Sequence, residues 1–390
     1  MTEEPLAERV GLGTVALEWT RIGVTGFGGP PAHIALLRRL VVDRRQWIEP
    51  REFEEAIGAC NLLPGPASTQ LAIFCAQRVG GPLGSVVGGL GFIAPAVVLM
   101  LVLSALFLGG SPPLWVRGAG AGAGSAVAAV AVSAAIGLLR PSWARIGENR
   151  ERRARWFAYV ALGATAGALV GRYLVLVLLA CGVIELAVAG GLGGRMQAHG
   201  WAVIAPLAAA AVGGIPALVW VAFKVGALSY GGGFVIVPLM QGDAVHTYHW
   251  MTSSQFLNAV ALGQVTPGPV VATVAAVGYA AHGVGGGALA ALVAFLPSFA
   301  VVMIGGRHFE RLRGDARAQR FLDGAGPAAV GAIFGSAIPL AAALDEAWQF
   351  GLLAAAAVAL LIGRLGVVTT LVATGTIGAI GALAGAPIPH

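Results

Sequence analysis

Laid over itself with a shift of 203 residues, this sequence repeats its punctuation without a gap. Gly23, Gly28 and Gly29 fall on Gly226, Gly231 and Gly232, Trp47 on Trp250, Phe53 on Phe256, and Pro64-Gly65-Pro66 on Pro267-Gly268-Pro269. Gly80, Gly84 and Phe92 match Gly283, Gly287 and Phe295; after a three-residue slip, Gly118-Ala119-Gly120 matches Gly324-Ala325-Gly326. Apolar chains coincide easily by composition, but Trp, Gly-Gly and Pro-Gly-Pro sharing one offset mark a duplication. The expected units are a first repeat over residues 1–195 and a second over residues 196–390.

The solvent of both copies is lipid. Charged residues make up 11% of the chain and mean hydropathy is +0.82, outside the range of a soluble domain. Leu83 to Leu108, Leu114 to Leu139 and Tyr173 to Leu192 are each long enough to cross a bilayer as a helix. Met1 to Val10 carries Glu3, Glu4, Glu8 and Arg9 instead of a basic leader, so no cleaved signal peptide is expected. The formal charge of +6 sits in short loops between spans, where membrane orientation explains it, and no nucleic-acid-binding motif accompanies it. Cys60, Cys75 and Cys181 stand alone in apolar surroundings, which points to packing, with neither metal nor disulfide.

Charge orients the copies. Arg38 to Arg51 holds five Arg, whereas its counterpart, Gln241 to Ser254, has no Lys or Arg. Conversely, Gly306 to Arg320 holds five Arg and the matching Ser104 to Arg117 only one. The positive-inside rule therefore predicts opposite orientations for the two repeats, with Arg140 to Arg155 a further cytoplasmic loop. Parity adds a hairpin. If Arg38 to Arg51 is inside and Gly109 to Pro113 outside, then Phe53 to Gln77 and Leu83 to Leu108 cannot both be plain crossings. Phe53 to Gln77 is the one that returns, because Pro64-Gly65-Pro66 breaks its helix. The same reasoning folds Phe256 to Ala280 back at Pro267-Gly268-Pro269 on the other side. The expected fold is an all-α, polytopic membrane protein: an inverted-topology repeat with broken helices and paired helical hairpins.

Broken backbone at membrane depth is tolerated where it is buried in protein or lines a cavity, and paired breaks between inverted repeats are the usual place for a transported solute. Half-helices starting near Pro66 and Pro269 would aim free N–H groups and the positive end of the helix dipole at the centre, a setting for an anion. Gly28 and Gly29, with Ser229, Tyr230, Gly231 and Gly232 in the second copy, let backbone approach a ligand closely. Asn61, Ser68, Thr69 and Gln70 in the first repeat, and Gln264, Thr266 and Thr273 in the second, supply side-chain donors nearby. The shift also preserves a cation: Arg21 and Lys224 each stand just before the first shared glycine. A charge inside a membrane segment is expensive, and an anionic substrate would offset that cost; the alternative is that both snorkel to headgroups. Trp47 and Trp250 read as interface anchors.

Proton coupling has four candidates, Glu54 and Glu55 at the start of the first hairpin, Glu185 within an apolar run, and His33 after the first glycine break. Glu185 is equally suited to pairing with Arg172 or another base. No His-Glu metal pair, no nucleophile with a base and no Walker sequence is present, so neither enzymatic chemistry nor a cofactor is expected.

The pattern Gly26-Phe27-Gly28-Gly29-Pro30 with Pro64-Gly65-Pro66, and Ser229-Tyr230-Gly231-Gly232-Gly233 with Pro267-Gly268-Pro269, resembles the two-domain type of the CHR family of chromate ion transporters over nearly the whole chain. The resemblance implies export of chromate from the bacterial cytoplasm across the inner membrane. Sulfate, a tetrahedral dianion of similar size, is the related or competing substrate, and a homodimer is open to such a chain. Gly233 stands where the first repeat has Pro30, so equal contributions of the two halves are not implied. A sulfate carrier, a passive anion channel and an enzyme acting on lipid phosphates are the competing classes; the last lacks any clustered acid, base or metal site.

Overall fold

The computed structural model describes residues 10–61, 63, 65–110, 112–169, 173–188, 213–229, 233–305 and 315–389. All regular structure among them is helical, as a backbone in lipid requires. Helix α1 (Leu12–Thr25) stops at Gly26, where the chain leaves helical geometry (φ −78°, ψ 68°). It turns at Gly28 and Gly29 and comes back as α2 (Pro30–Arg38), which widens into a π-helix over Arg39–Arg44. Side chains record the return: Trp47 stacks on Trp19 with ring centroids 6.4 Å apart, and both Arg44 and Arg45 pair with Glu18.

Helix α3 (Pro50–Cys60) starts with proline in its first turn and Glu52 beside it, both favourable at an N-terminus, and ends at the Pro-Gly-Pro break. Helix α4 (Ala67–Leu108) begins directly after Pro66 and reverses at Gly81 (φ 70°, ψ −164°). Its short arm, residues 67–80, lies back along its long arm, residues 82–108, with Ala76 against Gly84 and Gly88. An ion pair from Glu52 to Arg78 fastens the start of α3 to the end of the short arm. The hairpin that parity demanded is thus present, and its two ends share a face. The first repeat continues through α5 (Leu114–Ser125), α6 (Val127–Ala144), α7 (Arg150–Leu169) and α8 (Leu174–Val188).

The second repeat follows the same plan. Helix α9 (Gly214–Leu228) unwinds at Ser229 (φ −71°, ψ 70°), as α1 does at Gly26. Helix α10 (Ile236–Gln241) leads into a π-helix over Gly242–Thr247, 203 residues after the first, and left-handed His249 echoes Gln46 at the same shift. Helix α11 (Ser253–Val265) is capped by Thr252 and Gln255 in a reciprocal box. A 3₁₀ turn (Val270–Thr273) opens α12 (Val274–Gly305), which reverses at His282 and Gly283. Helices α13 (Ala316–Ala342), α14 (Ala347–Leu361) and α15 (Val367–Leu383) complete the chain.

The long arms of α4 and α12 are copies of each other, yet they cross antiparallel: Gly89 lies against Phe299 at one end and Gly287 against Leu101 at the other. Equivalent helices running in opposite directions make the repeats inverted. The halves also interlock. Helix α5 packs on α15, and α13 packs on α7 and α8, so the third span of each half is clasped by helices of the other. Glycine makes the clasp close: Gly163 and Gly167 of α7 rest on the Ala328 and Ala332 carbonyls, and Gly118 and Gly122 of α5 on Gly378 and Thr374. Leu83, Val98, Val102, Leu292 and Leu296 face outward as an apolar belt. Among the described residues, four helical stretches, 67–108, 114–144, 270–305 and 316–342, are long and apolar enough to cross a bilayer. The polytopic, all-α membrane fold is therefore the one the sequence implies; the boundary at residue 195 lies outside the described residues.

Candidate substrate site at the helix breaks

Both Pro-Gly-Pro segments turn through a left-handed glycine, Gly65 (φ 118°) and Gly268 (φ 97°), and neither has room for a side chain. A Cβ on Gly65 would sit 2.6 Å from Gln70 Nε2, and one on Gly268 would sit 2.8 Å from Ala96 Cβ. The Gly268 N–H donates to the Gly26 carbonyl at 3.0 Å. That same carbonyl accepts from His33 Nε2 at 2.9 Å, and His33 Nδ1 lies 3.2 Å from Ser68 Oγ. With Nε2 donating, a neutral His33 accepts the Ser68 hydroxyl proton at Nδ1. The second repeat's turn, the first repeat's broken helix and the start of α4 are thereby tied to one oxygen.

Beside this junction lies a cavity of about 410 Å³ lined by both repeats. Gly28 and Gly29 enter from the turn before α2 and Pro30 and Pro31 from its first residues, Asn61 and Ala67 flank the first break, and Gly263, Gln264, Thr266, Gly268 and Val270 flank the second. Asn61 and Gln264 are equivalent residues under the 203 shift. Gln264 Nε2 is buried and has no hydrogen-bond partner. At the start of α4 the Thr69 and Gln70 amides fold back on the Pro66 carbonyl, so Ala67 and Ser68 carry the first N–H groups without intrahelical partners. The 3₁₀ turn after Pro269 presents Val270 in the same way. Helix α2 contributes less, because Pro30 and Pro31 have no N–H to give. Ser133 of α6 adds a hydroxyl, and Leu138, Phe234, Val367 and Val368 make the remaining wall apolar. Among the described residues no charged side chain lines this cavity.

A second cavity of about 420 Å³ shares Asn61 and Leu138 with the first and leads past Pro141 and Ser142 to Arg145, at the end of α6. The Arg145 guanidinium is the one cation lining either space among the described residues. The two cavities therefore adjoin at Asn61 and Leu138.

The sequence-derived site residues divide. Gly28, Gly29, Gln264 and Gly268 line the central cavity, with Gly65, Pro66 and Pro269 forming its turns. Ser68, Thr69 and Gln70 are buried behind it, and Ser229 is buried at the end of α9 with its hydroxyl unpartnered. Pro267 stands in the second break, after α11. Pro64, Tyr230, Gly231 and Gly232 lie outside the described residues, as does Arg172. The two conserved-offset cations are elsewhere. Lys224 is buried against Asp243 at 2.5 Å and over the Trp220 ring at 5.6 Å. Arg21 lines a separate cavity with Glu18, Arg39 and Arg44. Glu54 pairs with Arg38 and Glu55 with Arg51 on the surface. Glu185 receives both arms of Arg155 at 2.8 and 2.9 Å and the Tyr159 hydroxyl at 2.9 Å, an anchor joining α7 to α8. Of the four coupling candidates, His33 alone adjoins the central junction.

Two partners escaped sequence reasoning. Asp243 and Glu18 fall on Leu40 and Val221 under the shift, so neither belongs to the duplicated pattern. Each is nevertheless an acid in apolar sequence near a base, which is a readable signal.

Comparison with known proteins places the geometry. A family model described as "Chromate transporter" matches residues 13–186 and 216–381, once per repeat. The chain is 30% identical over 358 residues to a chromate transport protein of Cupriavidus metallidurans, covering 89% of this chain and 87% of that one. It is 32% identical over 350 residues to a chromate transport protein of Pseudomonas aeruginosa, covering 84% and 80%. A probable chromate transport protein of Synechococcus elongatus is 29% identical over 339 residues, covering 82% of each chain. No solved structure matches.

Proposed function

Because this chain belongs to the chromate transporter family, a family of membrane transporters and not of enzymes, we propose that it carries chromate out of a bacterial cytoplasm across the inner membrane, with sulfate competing for the same site. The observation that supports this reading most is the central cavity itself: helix N-termini from both repeats, and the equivalent amides of Asn61 and Gln264, converge on a space that no charged side chain lines among the described residues. Backbone N–H groups and amide donors hold a tetrahedral dianion by several short, oriented bonds, and the helix dipoles add favourable potential. A fixed cation in low dielectric would bind a dianion far more tightly and slow its release. Uncharged donors suit a carrier that must let go.

Arg145 at the outer cavity concentrates anions at the mouth without following them to the centre. A dianion leaving a negative interior gains roughly 4–5 kcal/mol per 100 mV of membrane potential, so the potential alone drives export. Gly28 and Gly29 of the first repeat and Gln264 and Gly268 of the second act as a single pocket between the proposed units 1–195 and 196–390.

Uptake of labelled chromate and sulfate into everted vesicles tests the reading, with a pH gradient and a membrane potential imposed separately. Saturable chromate accumulation, reduced by sulfate, is expected. Sustained anion current beyond carrier turnover, or no uptake above vesicles lacking the protein, would overturn it.

A further inference from the structure

Between α1 and the end of α2 with its π-segment, and sharing no lining residue with the central cavity, lies a crevice of about 300 Å³ lined by Arg21, Arg39, Arg44 and Glu18. Three guanidinium groups and one carboxylate meet there; of the three, only Arg44 pairs with the carboxylate, and Arg45 pairs with it from just outside the crevice. Arg21 and Arg39 carry charge that the crevice does not neutralise. Trp19 is buried, its indole N–H donating to the Ala72 carbonyl at 2.8 Å, and it stacks on Trp47, over which Arg45 lies at 5.5 Å. Partly exposed Trp47 with Arg45 suits the headgroup level, and Arg21 follows Trp19 by two residues, roughly 3 Å along the helix axis.

The face that carries Arg21 is exposed and apolar on both sides of it. Leu17 and Val24 stand one turn to either side of it on the same stripe of α1, and they are 72% and 51% exposed. An arginine between two bare apolar side chains, opening on a basic crevice at headgroup depth, matches a molecule with a phosphate at one end and hydrocarbon at the other.

We infer that this crevice is a binding site for an anionic phospholipid. Its phosphate sits between Arg21 and Arg39, with Arg44 held in place by Glu18, and its acyl chain runs along Leu17 and Val24. The ligand chemistry is that of a tetrahedral phosphate oxyanion, for which planar guanidinium donors in pairs are well shaped. The equivalent position of the second repeat lacks this set: its counterparts of Glu18, Arg39 and Arg44 are Val221, Gly242 and Thr247, and Lys224 pairs with Asp243.

The test is lipid titration of the purified full-length protein by native mass spectrometry, with phosphatidylglycerol against phosphatidylcholine. Wild-type protein is expected to retain phosphatidylglycerol preferentially. Each of Arg21→Gln and Arg39→Gln should weaken that retention roughly fivefold, at about 1 kcal/mol per arginine near a membrane surface. Arg21→Lys, which keeps the charge, should retain most of the preference and serves as the control for folding. Equal retention of the two lipids by wild type, or unchanged preference in both Gln variants, refutes the site. Inorganic phosphate supplies the remaining arm: displacement of phosphatidylglycerol by millimolar phosphate would make the crevice a solute site and overturn the lipid assignment, and lack of displacement supports it.

Discussion

Asn61 and Gln264, 203 residues apart in sequence, line one cavity as the matching members of two inverted repeats. The Gln264 amide nitrogen is buried with no partner of its own, so on the proposed function a bound oxyanion would supply the bond that the fold withholds. Gln264→Leu keeps the volume and removes that donor. A hydrogen bond to a charged group is worth about 1.5–3 kcal/mol, so half-saturation for chromate should rise roughly 10- to 100-fold. Asn61→Leu should act in the same direction, and vesicle uptake over a range of chromate concentrations measures both. Unaltered half-saturation in Gln264→Leu would remove the amide from the site.

Gly65→Ala and Gly268→Ala force a side chain into left-handed backbone that is already in contact, with Gln70 in one case and Ala96 in the other. Strain of about 1–3 kcal/mol at each turn is expected. The readout is a lower unfolding temperature in detergent together with lost transport, and Gly268→Ala should be the worse of the two, because its amide also bonds the Gly26 carbonyl across the repeats.

Arg145 lines the outer cavity and is absent from the inner one, so the proposed function gives it a part in capture and none in passage. Arg145→Ala should raise half-saturation for chromate several-fold while maximal rate changes little, and Arg145→Lys should restore most of the loss. Rising ionic strength should erase the difference between wild type and Arg145→Ala, since exposed charge is screened over about 10 Å at 0.1 M salt. A fall in maximal rate alone would instead place Arg145 in the transport step.

The Lys224–Asp243 pair calls for a double-mutant cycle. Lys224→Met leaves a buried carboxylate without its lysine and should cost about 3–5 kcal/mol of stability, whereas Lys224→Met with Asp243→Leu should recover most of it. Equal losses in the single and double variants would show that the lysine acts through something other than this pair.

Gln46 and His249 are exposed, left-handed and equivalent, and they end the two π-segments. Cysteines introduced at the two positions should react with a membrane-impermeant thiol reagent from opposite sides of the membrane. The native Cys60, Cys75 and Cys181 are buried and give low background. Reaction from one side only would contradict the inverted arrangement.

Much of this was legible before any coordinates. Pro64-Gly65-Pro66 and its copy fixed where helices must break, arginine counts fixed that the copies oppose each other, and parity located the second hairpin. The α1–α2 return was less visible, since glycines at a helix end announce a break without saying which way the chain leaves. Arg21 and Lys224 misled most. Identical spacing made them look like one functional pair, but what a buried cation meets is decided by neighbours in space. Lys224 finds Asp243 on a π-segment 19 residues away, and the first repeat has Leu40 there, so Arg21 turns outward. Arg145 sits in a loop whose arginines all read as orientation signals, and nothing in its sequence context distinguishes the one that lines the outer cavity.

The clasp between halves bears on how the protein is made. When α5 leaves the ribosome, the face that will seat α15 has no partner, and roughly 250 residues of chain must still be synthesised before that helix exists. Helices α7 and α8 wait in the same way for α13. The first half inserted in the bilayer is therefore an unfinished surface of glycines and alanines, which lipid or chaperone must cover until the second half arrives. Separately expressed halves should be unstable alone and recover when made together, each supplying the helices on which the other closes.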